Sequence, residues 1–399
     1  MKSSIYKLML LAGVFAPAAA AFSLFDSAPI IGVPESHAIR YNAYLNVGYD
    51  DNVHQSAYNK ESGQFVRFGV GASYADYESV TRLSYNARVG GQLYDKEANR
   101  TDERMFTDIS LSASLSRALG RGSVYSAQLS FAYTPEPDYS GYYSNVGVYS
   151  TEMRWYLSNV YSQAIDERWS WNVSFAYSGT FYENDAYYTD DRQYVTPGIG
   201  LTYKASERTT YGISARYSYE LRDVGYNSES LYLNANVSHA LSPVSSCSLS
   251  LGTQYKMVDS WGEFYPTINA SYRRVLAEGL SASAYVNFAN ENVNSASRYS
   301  DNYFRSVETW RLGVSCSYAY SHRVTFSCFA SLYNAEYDEG THTNGGYSRQ
   351  DWSVGCSMSY KINENLTANI GYDYRTGDVN AGSDEYARNR VTTGVSYAF

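Results

Sequence analysis

Ten basic side chains recur at positions that alternate with apolar ones, among Ser, Thr, Asn, Gly and Tyr. They are Arg40, Arg67, Arg82, Arg88, Arg154, Arg216, Lys256, Arg273, Arg311 and Arg375. Guanidinium groups clamp carboxylates and phosphates, so a wall carrying these side chains would favour anions or sugars that bear such groups. Alternatively, they pair with acids of the same parity and keep the wall wet and stiff. Those acids are Asp108, Glu152, Glu220 and Asp373.

Two histidines stand near acids and could serve as general bases: His54 follows Asp51, and His342 follows Glu339. A hydrolase also needs a nucleophile or an activated water beside its base. Histidines beside acids in polar connections are more often simply solvated. The sequence contains no Gly-rich phosphate loop, CxxC pair or HExxH motif. It therefore predicts that the protein is not an enzyme and has neither cofactor nor metal.

The four cysteines all fall on the apolar parity of their segments. In an oxidising compartment Cys316 could bond Cys328 across one hairpin. Cysteine also serves as a small apolar side chain, and no histidine accompanies the four at the spacing of a metal site. The sequence favours the second interpretation and leaves the Cys316–Cys328 bond open.

Alternation of apolar and small polar residues is the main structural signal, and it is clearest in the segment 390–399. There Val391, Val395, Tyr397 and Phe399 share one parity, as in a strand with one apolar and one polar face. The pattern predicts an all-β antiparallel up-and-down barrel over 39–399, with eighteen strands, or sixteen as an alternative. Three strands are predicted within 39–89. The others lie near 106–116, 123–133, 148–158, 169–178, 192–203, 210–220, 230–240, 247–257, 264–273, 280–289, 306–318, 324–333, 349–360, 366–375 and 390–399.

Connections of two lengths alternate between these predicted strands, which is typical of transmembrane barrels with long extracellular loops and short periplasmic turns. The long ones are predicted at 50–64, 94–105, 134–147, 179–191, 221–229, 258–263, 290–305, 334–348 and 376–389. Tyr and Phe close the apolar face of most strands near both ends, as two aromatic girdles at membrane interfaces require.

Export from the cytoplasm is predicted by the first residues. Lys2 and Lys7 precede an apolar run and the small residues up to Ala21, which is the layout of a cleaved signal peptide over 1–21. A short periplasmic lead is expected over 22–38. The chain has 399 residues with a net charge of -9, 44 Tyr and 29 Gly, and its mean hydropathy is -0.42. Such a polar chain does not resemble a helical membrane protein.

The segment 48–53, Gly-Tyr-Asp-Asp-Asn-Val, together with the aromatic final strand and the eighteen-strand layout, resembles the outer-membrane β-barrel porins of Gram-negative bacteria. Some members of that family are associated with exopolysaccharide loci. The resemblance implies that Tyr397 and Phe399 form the signal that the barrel-assembly machinery reads. It also implies passive transport or polysaccharide handling.

We therefore expect an outer-membrane channel for the passive diffusion of small hydrophilic solutes, anionic or saccharide ones among them. The ten basic residues are its pore-lining candidates. The alternative is a structural or adhesive barrel, associated with exopolysaccharide, that has no open pore. Expected partners are membrane lipid, lipopolysaccharide, the assembly machinery and the solutes, with a homo-oligomer as an option. No nucleic-acid partner is expected.

Overall fold

A computed structural model describes residues 39–53, 60–77, 80–96, 104–134, 152–182, 191–223, 226–259, 261–292, 306–337, 347–379 and 385–399. All of them belong to the compact unit Ile31–Phe399, and the other unit, Met1–Ile30, lies outside the described residues. The predicted signal peptide (1–21) and lead (22–38) also lie outside them, as do His54 and His342. No helix in the described ranges is long and apolar enough to cross a membrane.

Eighteen strands form one sheet, as the alternation predicts. In chain order they are β1 Arg40–Asp50, β2 Gly63–Tyr77, β3 Thr81–Tyr94, β4 Met105–Gly120, β5 Ser123–Thr134, β6 Glu152–Ala164, β7 Trp169–Tyr182, β8 Arg192–Lys204, β9 Thr209–Arg222, β10 Ser228–Ser242, β11 Ser245–Val258, β12 Trp261–Ala277, β13 Leu280–Glu291, β14 Val307–Ala319, β15 Val324–Tyr337, β16 Tyr347–Lys361, β17 Leu366–Val379 and β18 Tyr386–Ala398. Each is long enough to cross a bilayer when tilted.

The sheet closes on itself because β1 pairs antiparallel with both β2 and β18. At the closing seam the Tyr41 amide donates to the Phe399 carbonyl over 3.0 Å, and the Phe399 amide returns a bond of 2.9 Å. The ring of Phe399 stacks on Tyr41 and lies 5.9 Å from that of Tyr397. Closure leaves no free edge, so nearly every strand segment of the wall pairs with a neighbour on both sides. The role of Tyr397 and Phe399 in assembly stays a prediction.

One end of the barrel carries the long connections and the other the short ones, with one exception. The short-turn end has 78–80, 121–122, 165–168, 205–208, 243–244, 278–279, 320–323 and 362–365. At the opposite, long-loop end, the loop predicted at 258–263 is instead a tight turn, because β11 continues to Val258 and β12 begins at Trp261. Asp259 adopts a φ of 54° there, a conformation that Asp tolerates better than most residues.

The prediction for β6 was also inaccurate, since the strand continues to Ala164 rather than ending near 158. Asn159 and Gln163 fall on its outward parity, where the apolar pattern fails. Their side chains accept hydrogen bonds from Tyr hydroxyls: Tyr125 to Asn159 over 2.6 Å and Tyr161 to Gln163 over 3.1 Å. Polar groups satisfied in this way are tolerated near the end of a strand.

Four of the short turns share one design, in which a side-chain oxygen accepts backbone N–H groups two and three residues ahead. The oxygens belong to Asp166, Ser206, Ser321 and Asn363. Such bonds fold the chain back locally. In the Asp166 turn, the N–H groups of Trp169 and Arg168 lower the pKa of the carboxyl group, because they stabilise its charged form.

Aromatic side chains occupy the outer face near both ends of the strands, as the girdle pattern predicts. At the short-turn end, the rings of Trp169 and Tyr203 lie 4.7 Å apart. At the long-loop end, Tyr255 and Phe264 lie 4.6 Å apart, and Trp155 and Phe181 lie at the same distance. Rings with an apolar body and a polar edge suit a membrane interface.

Candidate functional site

The inner wall of the barrel is the candidate functional site. The burial of side chains along each strand shows which alternate positions face inward. Along β1, Leu45, Val47 and Tyr49 are exposed at 45–49%, whereas Asp50 is completely buried. The same contrast recurs around the sheet: exposed Leu, Ile and Val alternate with inward Ser, Asn, Gly and Arg. Because the sheet is closed, the polar parity faces an enclosed interior and the apolar parity faces outward.

All ten predicted basic residues lie on the inward parity. They are Arg40 in β1, Arg67 in β2, Arg82 and Arg88 in β3, Arg154 in β6, Arg216 in β9, Lys256 in β11, Arg273 in β12, Arg311 in β14 and Arg375 in β17. That they line a conducting pore stays a prediction.

Three of these arginines form ion pairs with inward carboxylates. Arg67 pairs with Asp108. Arg375 Nε lies 3.0 Å from Asp373 Oδ1. Asp108 and Asp373 therefore pair with inward arginines, as the alternative interpretation of the basic residues predicts. Arg311 pairs with Glu291, Nη2 to Oε2 at 2.8 Å. Part of the predicted positive wall is therefore neutralised by its own neighbours.

Stacking on aromatic rings holds several guanidinium groups against the wall. Arg216 lies over Tyr232 at 4.2 Å from the ring centroid, and Arg390 over Phe65 at the same distance. Arg88 lies over Tyr44 at 5.4 Å. Cation–π contacts fix the position of the charge while leaving it positive. Arginine and tyrosine thus form mixed patches on the inner wall.

Lys256 differs from the other nine because it is fully buried. Its ammonium donates to Asn290 Oδ1 over 3.0 Å and to the Glu291 carbonyl over 2.8 Å. The ladder between β12 and β13 stops at Ile268 and Phe288, although both strands continue. Pro266, which has no N–H, stands in the part of β12 that pairs with β11 but not with β13. Lys256 bridges this gap from β11 and is shielded from solvent.

Three further ion pairs on the inner wall were not predicted from the sequence, and five of their six side chains are buried. Arg388 Nε lies 3.0 and 2.9 Å from the two oxygens of Asp50. Arg192 Nη1 is 3.5 Å from Glu220 Oε1, and Arg349 Nε is 2.7 Å from Asp351 Oδ2. Asp50 and Arg388 continue the inward parity one or two residues beyond the predicted ends of their strands, and the other four residues lie on that parity within predicted strands. That continued alternation is the signal that could have found them.

Asp50 was predicted to begin the long connection 50–64, but it is the last residue of β1. Asp50 and Asp51, the residue that follows it, both bind β18 at the closing seam. Asp51 accepts bonds of 2.6 Å from the backbone and the side-chain amide of Asn389. Asn52 Nδ2 donates to the Ala387 carbonyl over 3.0 Å. The Asp-Asp-Asn segment that carried the family resemblance is therefore a structural clasp in this chain.

Two apolar clusters pack inside the barrel near its long-loop end. One contains Val53, Phe65, Tyr94 and Phe106, and the other Val307, Tyr333, Ala335 and Tyr337. Together with the buried ion pairs, they fill wall positions that would otherwise face water. These side chains cover part of the inner wall near the long-loop end.

Hydroxyl groups line the inner wall toward the short-turn end. Facing serines touch across neighbouring strands at 2.7 Å, as in Ser84–Ser114, Ser248–Ser271 and Ser283–Ser315. All six side chains are small and polar. No group of three His, Cys, Asp or Glu side chains among the described residues could hold a metal ion.

Solved structures share this architecture. OpdK, an outer membrane protein of Pseudomonas aeruginosa determined with vanillate, matches with a TM-score of 0.50 at 8% identity, over 90% of this chain and 99% of that one. The chain has the fold of an outer-membrane β-barrel.

Two further matches have lower TM-scores. OccAB4 of Acinetobacter baumannii gives a TM-score of 0.48 at 9% identity, covering 92% of this chain and 99% of that one. The siderophore receptor PirA of P. aeruginosa gives 0.44 at 10%, covering 91% and 80%. No family model matches the chain, and no curated protein does.

Proposed function

We propose that the protein is an outer-membrane channel through which small hydrophilic solutes diffuse passively, with a preference for anions. The observation that carries the proposal is the closed eighteen-strand wall whose inward parity is polar and whose outward parity is apolar. A barrel of that strand number encloses more space than its own side chains fill.

The anion preference rests on the charges of the inner wall. Basic side chains outnumber carboxylates on the inward parity of the described strands, so ion pairing leaves an excess of positive charge. Fixed positive charge raises the local concentration of anions in a channel whose walls have a low dielectric constant. Arg273 is one of the exposed members of this set and lies near the short-turn end, as does Arg40.

The same proposal places the chain in the Gram-negative cell envelope. It would be exported by a cleaved signal peptide, inserted by the barrel-assembly machinery, and surrounded by lipid and lipopolysaccharide. The long-loop end would face outward and the serine-lined end would face the periplasm. A homo-oligomer is compatible with the apolar outer face.

A second candidate is a structural or adhesive barrel, associated with exopolysaccharide, whose interior is closed. The two apolar clusters near the long-loop end favour it, because their burial means that other groups cover the inner wall there. The two candidates differ in one measurable property: only the first lets solutes cross.

Swelling of proteoliposomes in isotonic glucose, glucuronate and glucosamine separates the candidates, because these solutes match in size and differ in charge. We expect all three to enter, with glucuronate fastest and glucosamine slowest. If the protein is folded and none of the three solutes enters the proteoliposomes, the closed barrel is supported. Equal rates for the three would contradict the anion preference alone.

Arg273→Gln should lower the ratio of glucuronate to glucosamine entry by about two-fold. Unit charges 4 Å apart attract by only about 1 kcal/mol in water, and salt screens that further. The matched control is Arg274→Gln, because Arg274 is also exposed but lies on the outward parity. An equal effect of both substitutions would mean that the charge acts outside the lumen.

A further inference from the structure

Three cysteines lie in one row across three neighbouring strands. Cys316 in β14 faces Cys328 in β15, and Cys328 faces Cys356 in β16. All three are exposed on the outward parity, and all are free thiols in the structure. Facing residues of antiparallel strands bring their Cβ atoms close enough for their side chains to touch.

The two neighbours of Cys328 are not equivalent. Its sulfur lies 2.7 Å from that of Cys356. A disulfide bond is about 2.04 Å long, so a displacement of well under 1 Å would join these two atoms. Cys316, which the sequence offered as the partner of Cys328, shares the row but is not the residue at this distance.

We propose that Cys328 and Cys356 are joined by a disulfide bond in the mature protein, while Cys247 and Cys316 stay as thiols. The proposal rests on the proposed export, because the periplasm is kept oxidising by disulfide-bearing thiol oxidases. One cysteine thiolate attacks the oxidant's disulfide, and the second displaces the oxidant from the mixed disulfide. The two cysteines lose two protons and two electrons, and the oxidant becomes a dithiol.

The bond would tie together two strands that are separated by a long connection. Cys328 and Cys356 are 28 positions apart, because β15 ends at Tyr337 and β16 begins at Tyr347. A crosslink of this kind acts mainly on the unfolded chain, whose freedom it restricts. The bond would form in the periplasm before the strands enter the membrane, because the oxidant can reach both thiols there.

Differential alkylation tests the proposal on the wild-type protein taken from membranes. Free thiols are first blocked with N-ethylmaleimide in denaturant. Disulfide bonds are then reduced, and the thiols they release are labelled with an isotopically heavy form of the reagent before peptide mapping. We expect the heavy label on Cys328 and Cys356 and the light label on Cys247 and Cys316. Light label on all four, or a linked peptide joining Cys316 to Cys328, would overturn the proposal. Solute entry into proteoliposomes, measured on the same preparation before denaturant is added, tests the channel independently of this bond.

Two variants add a stability readout. Reduction should lower the temperature at which the wild type loses its folded mobility on SDS gels. Cys316→Ser should keep that dependence on reductant, and Cys328→Ser should lose it. Cys328→Ser that still responds to reductant would contradict the proposed pair. Should that variant fail to fold, the peptide map of the wild type decides alone.

Discussion

Asp50→Ala is expected to lower the free energy of unfolding by about 3–5 kcal/mol, because it leaves the guanidinium of Arg388 buried without its partner. The Asp50 carboxylate is completely buried and accepts bonds from both Arg388 Nε and Arg388 Nη2. It also accepts a bond of 3.1 Å from the Asn52 amide. The pair joins the first and last strands, so its loss weakens the closing seam.

Urea unfolding of the barrel in lipid vesicles, followed by tryptophan fluorescence, measures this effect. The double variant Asp50→Leu with Arg388→Met removes both charges and should recover most of the loss. Lys96→Ala is the control for a surface pair, because Lys96 and Glu61 are 3.6 Å apart and about half exposed. It should change stability by less than about 1 kcal/mol. A loss for Asp50→Ala no greater than that of the control would contradict the buried clasp.

Leu129→Arg should destabilise the inserted barrel by about 2–4 kcal/mol, the cost of a cation on the lipid face near the bilayer centre. Leu129 lies mid-strand in β5, points outward and is 51% exposed. Its chain neighbour Gln128 is also exposed but has the opposite parity, facing inward. Gln128→Arg should therefore leave stability nearly unchanged.

The same urea titration, in vesicles of fixed composition, compares the two substitutions. Their contrast isolates parity, because they add the same charge one residue apart. Equal losses would mean that both faces of β5 meet the same environment. That result is incompatible with a wall that separates lipid from water.

The sequence predicted the strands well because side chains of a closed transmembrane sheet are sorted at period two along every strand. In β1, for example, Leu45 and Val47 had to be apolar and Asn46 did not. The prediction of eighteen strands followed from repeating that rule. It failed locally where the rule is relaxed, as at Asn159 in β6, whose polar side chain is satisfied by a tyrosine hydroxyl.

The inner wall was only partly predictable. Parity placed Arg67 and Arg216 on it, but pairing depends on neighbours brought together by closure, which one strand does not encode. Asp50 and Arg388 are 338 positions apart, and only the β1–β18 register makes them partners. Lys256 resembled any other inward cation, yet the interrupted β12–β13 ladder buries it.

Single-channel recording in planar bilayers tests the central claim most directly. Purified, folded protein should insert with stepwise increases in conductance, and in a KCl gradient the reversal potential should take the sign of chloride preference. A folded protein that produces no conductance would contradict the account of a water-filled passage.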